Sequence, residues 1–256
     1  SRLIDLTGGF GVDSYYFAQQ AQSVTHCELN PELSQIAAHN FVQLGQANIS
    51  CKATDGLSYL AQSDAGYDYI YIDPSRRVKQ QKVFLLEDCE PNVVEAQSLF
   101  FEKANHILIK VAPLLDITQA LRSLSQVKAV YVISVNNDCK ELLFLQEKGF
   151  VGNTEIQAVR LHQQQQQVFT FTQEQEREHI APLGLPGKYL YDPDVALTKA
   201  GAFKSLAIAF GLQKLHTNSH LYTSDQLVTD FPGRRFEVTS VLPYAKLKKN
   251  KTALKA

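Results

Sequence analysis

The feature that most constrains this chain is an alternation. Short apolar runs, RLIDL (2–6), SVTHCEL (23–29), NISCKAT (48–54), YDYIYID (67–73), HILIKVA (106–112) and KAVYVISV (128–135), are separated by stretches of helical character. The segment 30–45 shows how such a stretch is bounded: Asn30 is placed to cap a helix, Pro31 occupies its first turn, and Gly45 stops it. Strands alternating with helices predict a parallel sheet with right-handed crossovers and helices on both faces. DCKELLFLQEKG (138–149) reads as one more helix, closed by Gly149.

The rhythm then changes. NTEIQAVRLH (153–162) and QVFTFTQ (167–173) flank a run of glutamines and predict a hairpin with a polar tip. Residues 174–188 hold Pro182, Gly184, Pro186 and Gly187 and read as a linker. Beyond it, 192–211 reads as a helix ended by Gly211, 219–224 as a strand, 224–231 as a short helix capped by Ser224, and 234–242 as a strand. The expected architecture is α/β: a Rossmann-like, doubly wound, mostly parallel seven-stranded sheet with an antiparallel last strand (1–175), followed by a small α+β unit (176–256).

Composition narrows the function classes. Lysine and arginine number 25 against 26 acids, a net charge of −1, so no global basic signature marks a nucleic-acid binder. The charge is uneven, however. The tail KLKKNKTALKA carries Lys246, Lys248, Lys249, Lys251 and Lys255, with Arg234 and Arg235 shortly before it. Such a tail is either a solvated end or a basic arm near a phosphate backbone. No apolar run reaches the ~20 residues of a membrane span. The four cysteines form no Cys-x-x-Cys pair, which fits a reducing cytoplasm better than a disulfide framework or a zinc site. The chain has no methionine and enters a strand at once, and it reads as part of a longer protein.

In an open α/β sheet, ligands bind outside the carboxyl ends of the strands. The first tip reads LIDLTGGFGVD, with Asp5, Gly8, Gly9 and Gly11. The spacing is neither that of the dinucleotide binders nor that of a nucleotide-phosphate loop. The second tip supplies Glu28, placed to accept both hydroxyls of a ribose, and the third Asp55, an acceptor for an exocyclic amine. Acids and glycines without a phosphate-binding lysine suit a cationic nucleoside, and S-adenosylmethionine is that ligand. The fourth tip, YIDPSRR, ends a buried strand in Asp73, Pro74, Ser75, Arg76 and Arg77.

Together DLTGGFGVDS, CELNPEL, ATDG and YIDPSRR resemble the ordered motifs of class I S-adenosylmethionine-dependent methyltransferases. With LLEDCEPNVV, SVNNDCKELL, TKAGAFK and HLYTSD, the chain is similar to a bacterial methyltransferase family that carries a ferredoxin-like unit and a C-terminal THUMP-like domain. The resemblance implies S-adenosylmethionine held by Asp5, Thr7, Gly8, Gly9, Gly11, Glu28, Leu29, Asp55, Gly56 and Asp73. It implies methyl transfer assisted by Asp73, Pro74 and Arg76 with no metal, and settles fold and cofactor more than target; Arg76 and Arg77, the lysine tail and the family's appended domain point to RNA (a structured tRNA or rRNA) as partner. The chain would then reach at most the beginning of the THUMP-like domain.

The fourth tip departs from the Asp/Asn-Pro-Pro-aromatic loop of amine methyltransferases: the second proline and the aromatic are missing. Asp-Pro-x-Arg is closer to the loop of uracil-C5 enzymes. Their nucleophilic cysteine is absent, however, because the sixth tip reads Ser134-Val135-Asn136-Asn137 and Cys139 follows in the predicted helix. Arg76 and Arg77 would either pair with Glu87, Asp88 or Glu90 or contact substrate phosphate. Lys110, near the same rim, is solvated or a phosphate contact. The rival readings are methylation of a protein or small metabolite, and a non-catalytic S-adenosylmethionine-binding module.

Overall fold

The computed structural model describes residues 1–76 and 85–243. Its first half follows the expected alternation: β1 (Arg2–Asp5), α1 (Val12–Ala18), β2 (Ser23–Glu28), α2 (Pro31–Gln43), β3 (Ile49–Ala53), α3 (Gly56–Gln62) and β4 (Tyr67–Ile72). Two-residue strands β5 (Ser75–Arg76) and β6 (Cys89–Glu90) pair with each other. Then come α4 (Gln97–Lys103), β7 (Ala104–Val111), α5 (Ile117–Ser123), β8 (Val127–Val135), β9 (Asp138–Glu147), β10 (Glu155–His162), β11 (Gln165–Thr172) and α6 (Gln173–Glu178). The second unit holds β12 (Tyr189–Pro193), α7 (Val195–Ala200), α8 (Lys204–Ala209), β13 (Gln213–Lys214), β14 (Tyr222–Ser224) and β15 (Gly233–Glu237).

The main sheet has nine strands in the order β11-β10-β8-β9-β7-β4-β1-β2-β3. Every adjacent pair from β3 to β7 is parallel. β8 and β10 share that direction, while β9 and β11 run against it. The expected hairpin is therefore present but extends the main sheet, which has nine strands rather than seven. β1 and β4 are central and buried, Ile4, Ile70 and Ile72 being fully enclosed, as parallel strands covered on both faces must be. Asn30 caps α2 as expected: its Oδ1 accepts from the N–H groups of Glu32 (2.9 Å) and Leu33 (3.3 Å).

The largest departure is residues 138–149, expected as a helix and folded as β9. Asn136 and Asn137 both adopt positive φ, 51° and 63°. That is the conformation of a two-residue turn whose twist matches a hairpin. Beyond it the burial alternates, with Leu142, Phe144 and Gln146 inward, so the period is that of a strand. Gln146 is tolerated inside because its Nε2 donates to Gln97 Oε1 (2.9 Å) and to the Ser125 carbonyl (2.7 Å). Cys139 accordingly lies on a strand.

The second unit is a four-stranded sheet, order β13-β14-β12-β15, with antiparallel pairs. The helix expected over 192–211 is two helices, because Gly201 sits at φ 82° and ends the first. The segment 224–231 forms a turn rather than the expected helix: the Ser224 hydroxyl bonds the Gln226 carbonyl instead of capping. Part of the expected linker is helical, since Thr172 and Gln175 form a reciprocal capping box that starts α6. Among the described residues, no helix is long and apolar enough to cross a membrane.

Candidate functional site

The carboxyl ends of β1, β2 and β4 and the start of α3 converge on a cavity of about 830 Å³. Thr7, Glu28, Leu29, Asp55, Gly56 and Asp73 line it, as do Ser75 and residues of the 90–99 segment. Glu28 is held from two sides: Oε2 accepts the Gly9 N–H (2.8 Å) and Oε1 the Asn30 N–H (2.7 Å). Each oxygen keeps a further lone pair for a ligand. Asp55 caps α3 through Oδ2, which accepts the Ser58 N–H at 2.7 Å. At Gly56 a Cβ would overlap the Leu6 carbonyl, so only glycine lets α3 start this close to β1.

Asp5 does not reach the cavity. It is almost fully enclosed, with Oδ1 accepting the Thr7 N–H (3.0 Å) and Oδ2 the Ser14 hydroxyl (2.6 Å). Burial raises its pKa to about 6, against the opposing pull of those two hydrogen bonds. His26 Nδ1 lies 3.1 Å from the same Ser14 Oγ. Burial lowers the His26 pKa, with Glu28 and the Gly9 backbone opposing, and keeps the ring neutral. The loop glycines serve this foundation: a Cβ at Gly8 would overlap the His26 ring, and Gly11, at φ 84°, lies against Phe41. Gly8, Gly9 and Gly11 stand outside the cavity lining; Gly9 acts through the N–H that fixes Glu28.

Asp73 stands at the cavity's edge. Its N–H donates to Thr7 Oγ1 (2.8 Å), pinning the β4 tip to the β1 tip. Its Oδ2 lies 3.1 Å from Lys110 Nζ. That ammonium also donates to Asp13 Oδ2 (2.8 Å), an oxygen that accepts from the Tyr71 hydroxyl (2.7 Å) as well, and it lies 4.0 Å from Glu141. Burial pulls the Lys110 pKa down, but the bonds to Asp13 and Asp73 outweigh it and leave it at about 12. Lys110 is therefore a charged clamp between carboxylates rather than a solvated or phosphate-facing lysine. Burial pushes Glu141 up, opposed by Lys110. Asp13, Tyr71 and Glu141 were not singled out in the sequence. The one local signal was an acid in the first turn after the glycine loop.

Pro74 is buried behind the tip. Arg76 contributes its backbone to the ladder with Cys89. The Arg76 side chain, Arg77 and the lysine tail lie outside the described residues. At Cys139, burial raises the thiol pKa over the opposing pull of Lys199, which keeps it protonated and poorly nucleophilic. Among the described residues, no group of His, Cys, Asp and Glu could hold a metal ion.

Comparison with known proteins adds three findings. Residues 189–232 match a ferredoxin-like domain family. A protein of Mycobacterium tuberculosis (strain CDC 1551 / Oshkosh), named an uncharacterized S-adenosylmethionine-dependent methyltransferase, is 24% identical over 240 residues, and its counterpart in strain H37Rv matches equally. The match covers 94% of this chain and 63% of those relatives. A crystal structure from Porphyromonas gingivalis W83, named as a candidate methyltransferase, superposes with a TM-score of 0.90 at 32% identity. That match covers 100% of this chain and 66% of the other. The chain thus carries the class I methyltransferase fold joined to a ferredoxin-like unit, and spans just under two thirds of these relatives.

Proposed function

We propose that this chain is the catalytic part of an S-adenosylmethionine-dependent methyltransferase acting on RNA, a structured tRNA or rRNA. The observation that carries the reading is one cavity bounded by three carboxylates, Glu28, Asp55 and Asp73, from the tips of β2, β3 and β4. The donor set fits the cofactor. Glu28, fixed by two backbone N–H groups, offers acceptors for two ribose hydroxyls. Leu29, Leu57 and Leu99 give apolar walls for a planar base, beside Asp55 Oδ1 as acceptor for its amine. When bound, S-adenosylmethionine supplies an electrophilic methyl group on a cationic sulfur.

The chain's own part is positioning and dehydration of the nucleophile. Lys110 takes Asp73 Oδ2 and leaves Oδ1 to accept an N–H or O–H of the acceptor. The Thr7 hydroxyl holds the Asp73 backbone while this happens. Asp73 can thereby aim a lone pair of the acceptor and take its proton. RNA is favoured over a metabolite by Arg160 and the glutamine amides farther along the same sheet edge, joined there by Arg234 and Arg235 of β15.

Isothermal titration of the full-length protein with S-adenosylhomocysteine tests the cofactor. Binding is expected, and Glu28→Ala should weaken it about tenfold or more, the ~1–3 kcal/mol of acceptors lost to two hydroxyls. Absence of binding overturns the reading. Mass spectrometry of RNA nucleosides from a strain lacking the gene tests the acceptor. A missing methylated nucleoside is expected. Intact RNA alongside a missing protein or metabolite methylation would reassign it, and binding without any transfer would favour a non-catalytic module.

A further inference from the structure

A second large cavity, about 600 Å³, opens at the far end of the same sheet edge, between the tip of the β10–β11 hairpin and β15 of the ferredoxin-like unit. Arg160, His162, Arg234 and Arg235 line it, with amides from Gln163 and Gln167. The glutamine run and the arginine pair, two sequence features that the proposed cofactor site leaves unused, thus meet here. Phe236, 47% exposed, also borders the opening.

Asp194, the carboxylate in this lining, is 2% exposed and fully engaged. Its Oδ1 accepts from the Ser134 hydroxyl (2.5 Å) and the Ala196 N–H (2.9 Å), and its Oδ2 lies 3.4 Å from Arg160 Nε. The arginines are each anchored on one side: Arg160 by Asp194 and by Gln167 Oε1 (2.5 Å), Arg234 by Asp192, Arg235 by the Thr229 carbonyl. A guanidinium carries five N–H donors in a rigid fork. One anchored edge therefore fixes the plane and leaves other donors for a ligand. Three arginines against Asp192 and Asp194 still leave a positive surplus.

We propose that this cleft binds the phosphodiester backbone of the RNA acceptor, with the glutamine amides and Phe236 contacting its nucleotides. The proposal rests on the RNA reading above and places the strand. Planar guanidiniums suit phosphate, amides suit base edges, and an exposed ring suits stacking. The β10 tip lies four strand spacings from the β4 tip, roughly 19 Å along one edge. An RNA held in the cleft therefore runs along the rim that carries Asp73.

The test uses the full-length protein, an in-vitro-transcribed tRNA and a salt series. Arg234→Gln with Arg235→Gln should weaken binding roughly tenfold or more near 0.1 M salt and lower the log–log salt slope by about 1–2. Gln163→Ala with Gln167→Ala should weaken it less and leave the slope unchanged, because no charge is lost. Lys128→Gln with Lys148→Gln removes two charges at the opposite sheet edge and should bind as the parent. Arg160 is left intact because its loss would strand buried Asp194. Unchanged S-adenosylhomocysteine affinity verifies that each variant is folded. If tRNA binds with a steep salt slope that the arginine variant does not alter, the cleft assignment is overturned and the RNA reading stands. If the parent binds S-adenosylhomocysteine but neither the tRNA nor a structured rRNA fragment, both fall.

Discussion

The two ends of the sheet edge are chemical opposites. At the β1–β4 end the side chains that face open space are acceptors: Glu28, Asp55 and Asp73. At the β8–β10 end they are mainly donors: Arg160, Arg234, Arg235 and the glutamine amides. The rim of the main sheet supports both, with β15 of the second unit adding Arg234 and Arg235 at the donor end. An edge of carboxylates holds hydroxyls, amines and positive charge, whereas an edge of guanidiniums holds phosphate. Lys110 and Asp73 stand between the two, where the donor and acceptor chemistries touch.

The sharpest way to break this division is at that border. Asp73→Ala should lower methyl transfer on the order of 10²-fold or more, because the acceptor loses its aligning oxygen. S-adenosylhomocysteine affinity should stay nearly constant, since its proposed contacts lie at the β2 and α3 tips. Full activity would remove Asp73 from the chemistry. Lys110→Met should cost less, about tenfold in kcat with KM for the cofactor little changed, and Lys110→Arg should recover part of the loss. A combined fall in thermal stability and cofactor affinity would make Lys110 a structural clamp only.

A further prediction concerns stability rather than activity and probes the foundation of the acceptor end. Raising Asp5 from 3.8 to about 6 means that the unfolded chain loses this proton first. Its contribution to stability is fully present below about pH 3.8 and is lost as pH rises through about 6, a cost of about 3 kcal/mol at neutral pH. Denaturant titrations of parent and Asp5→Asn should therefore diverge between about pH 4 and 6, in favour of the variant, and run parallel above. Parallel curves throughout would show that the folded state does not retain this proton.

The parts legible in the sequence are those fixed locally. Glu28, Asp55 and Asp73 each end an element whose apolar pattern is plain, and the shared direction of β1 to β4 brings them to one cavity. β9 was not legible, because LLFL (142–145) is an unbroken apolar run that suits a helix as well as a strand. Its burial is settled by β7 and β8 on either side, one of them distant in sequence. The turn at Asn136–Asn137 was the available local cue. The Lys110 clamp was hidden for the same reason: its bond to Asp13 joins residues 97 positions apart. Gly201 could have warned that 192–211 is two helices, since glycine is the residue that tolerates the left-handed turn found there.

Asp194 carries a consequence for how the two units depend on each other. Its partners, Ser134 and Arg160, belong to β8 and β10, which pair side by side in the main sheet. Without both partners, enclosing the carboxylate is unfavourable, because nothing replaces its water. The buried acid thus ties the seating of the second unit to an intact β8–β10 pair, so that damage to either strand is felt at the joint.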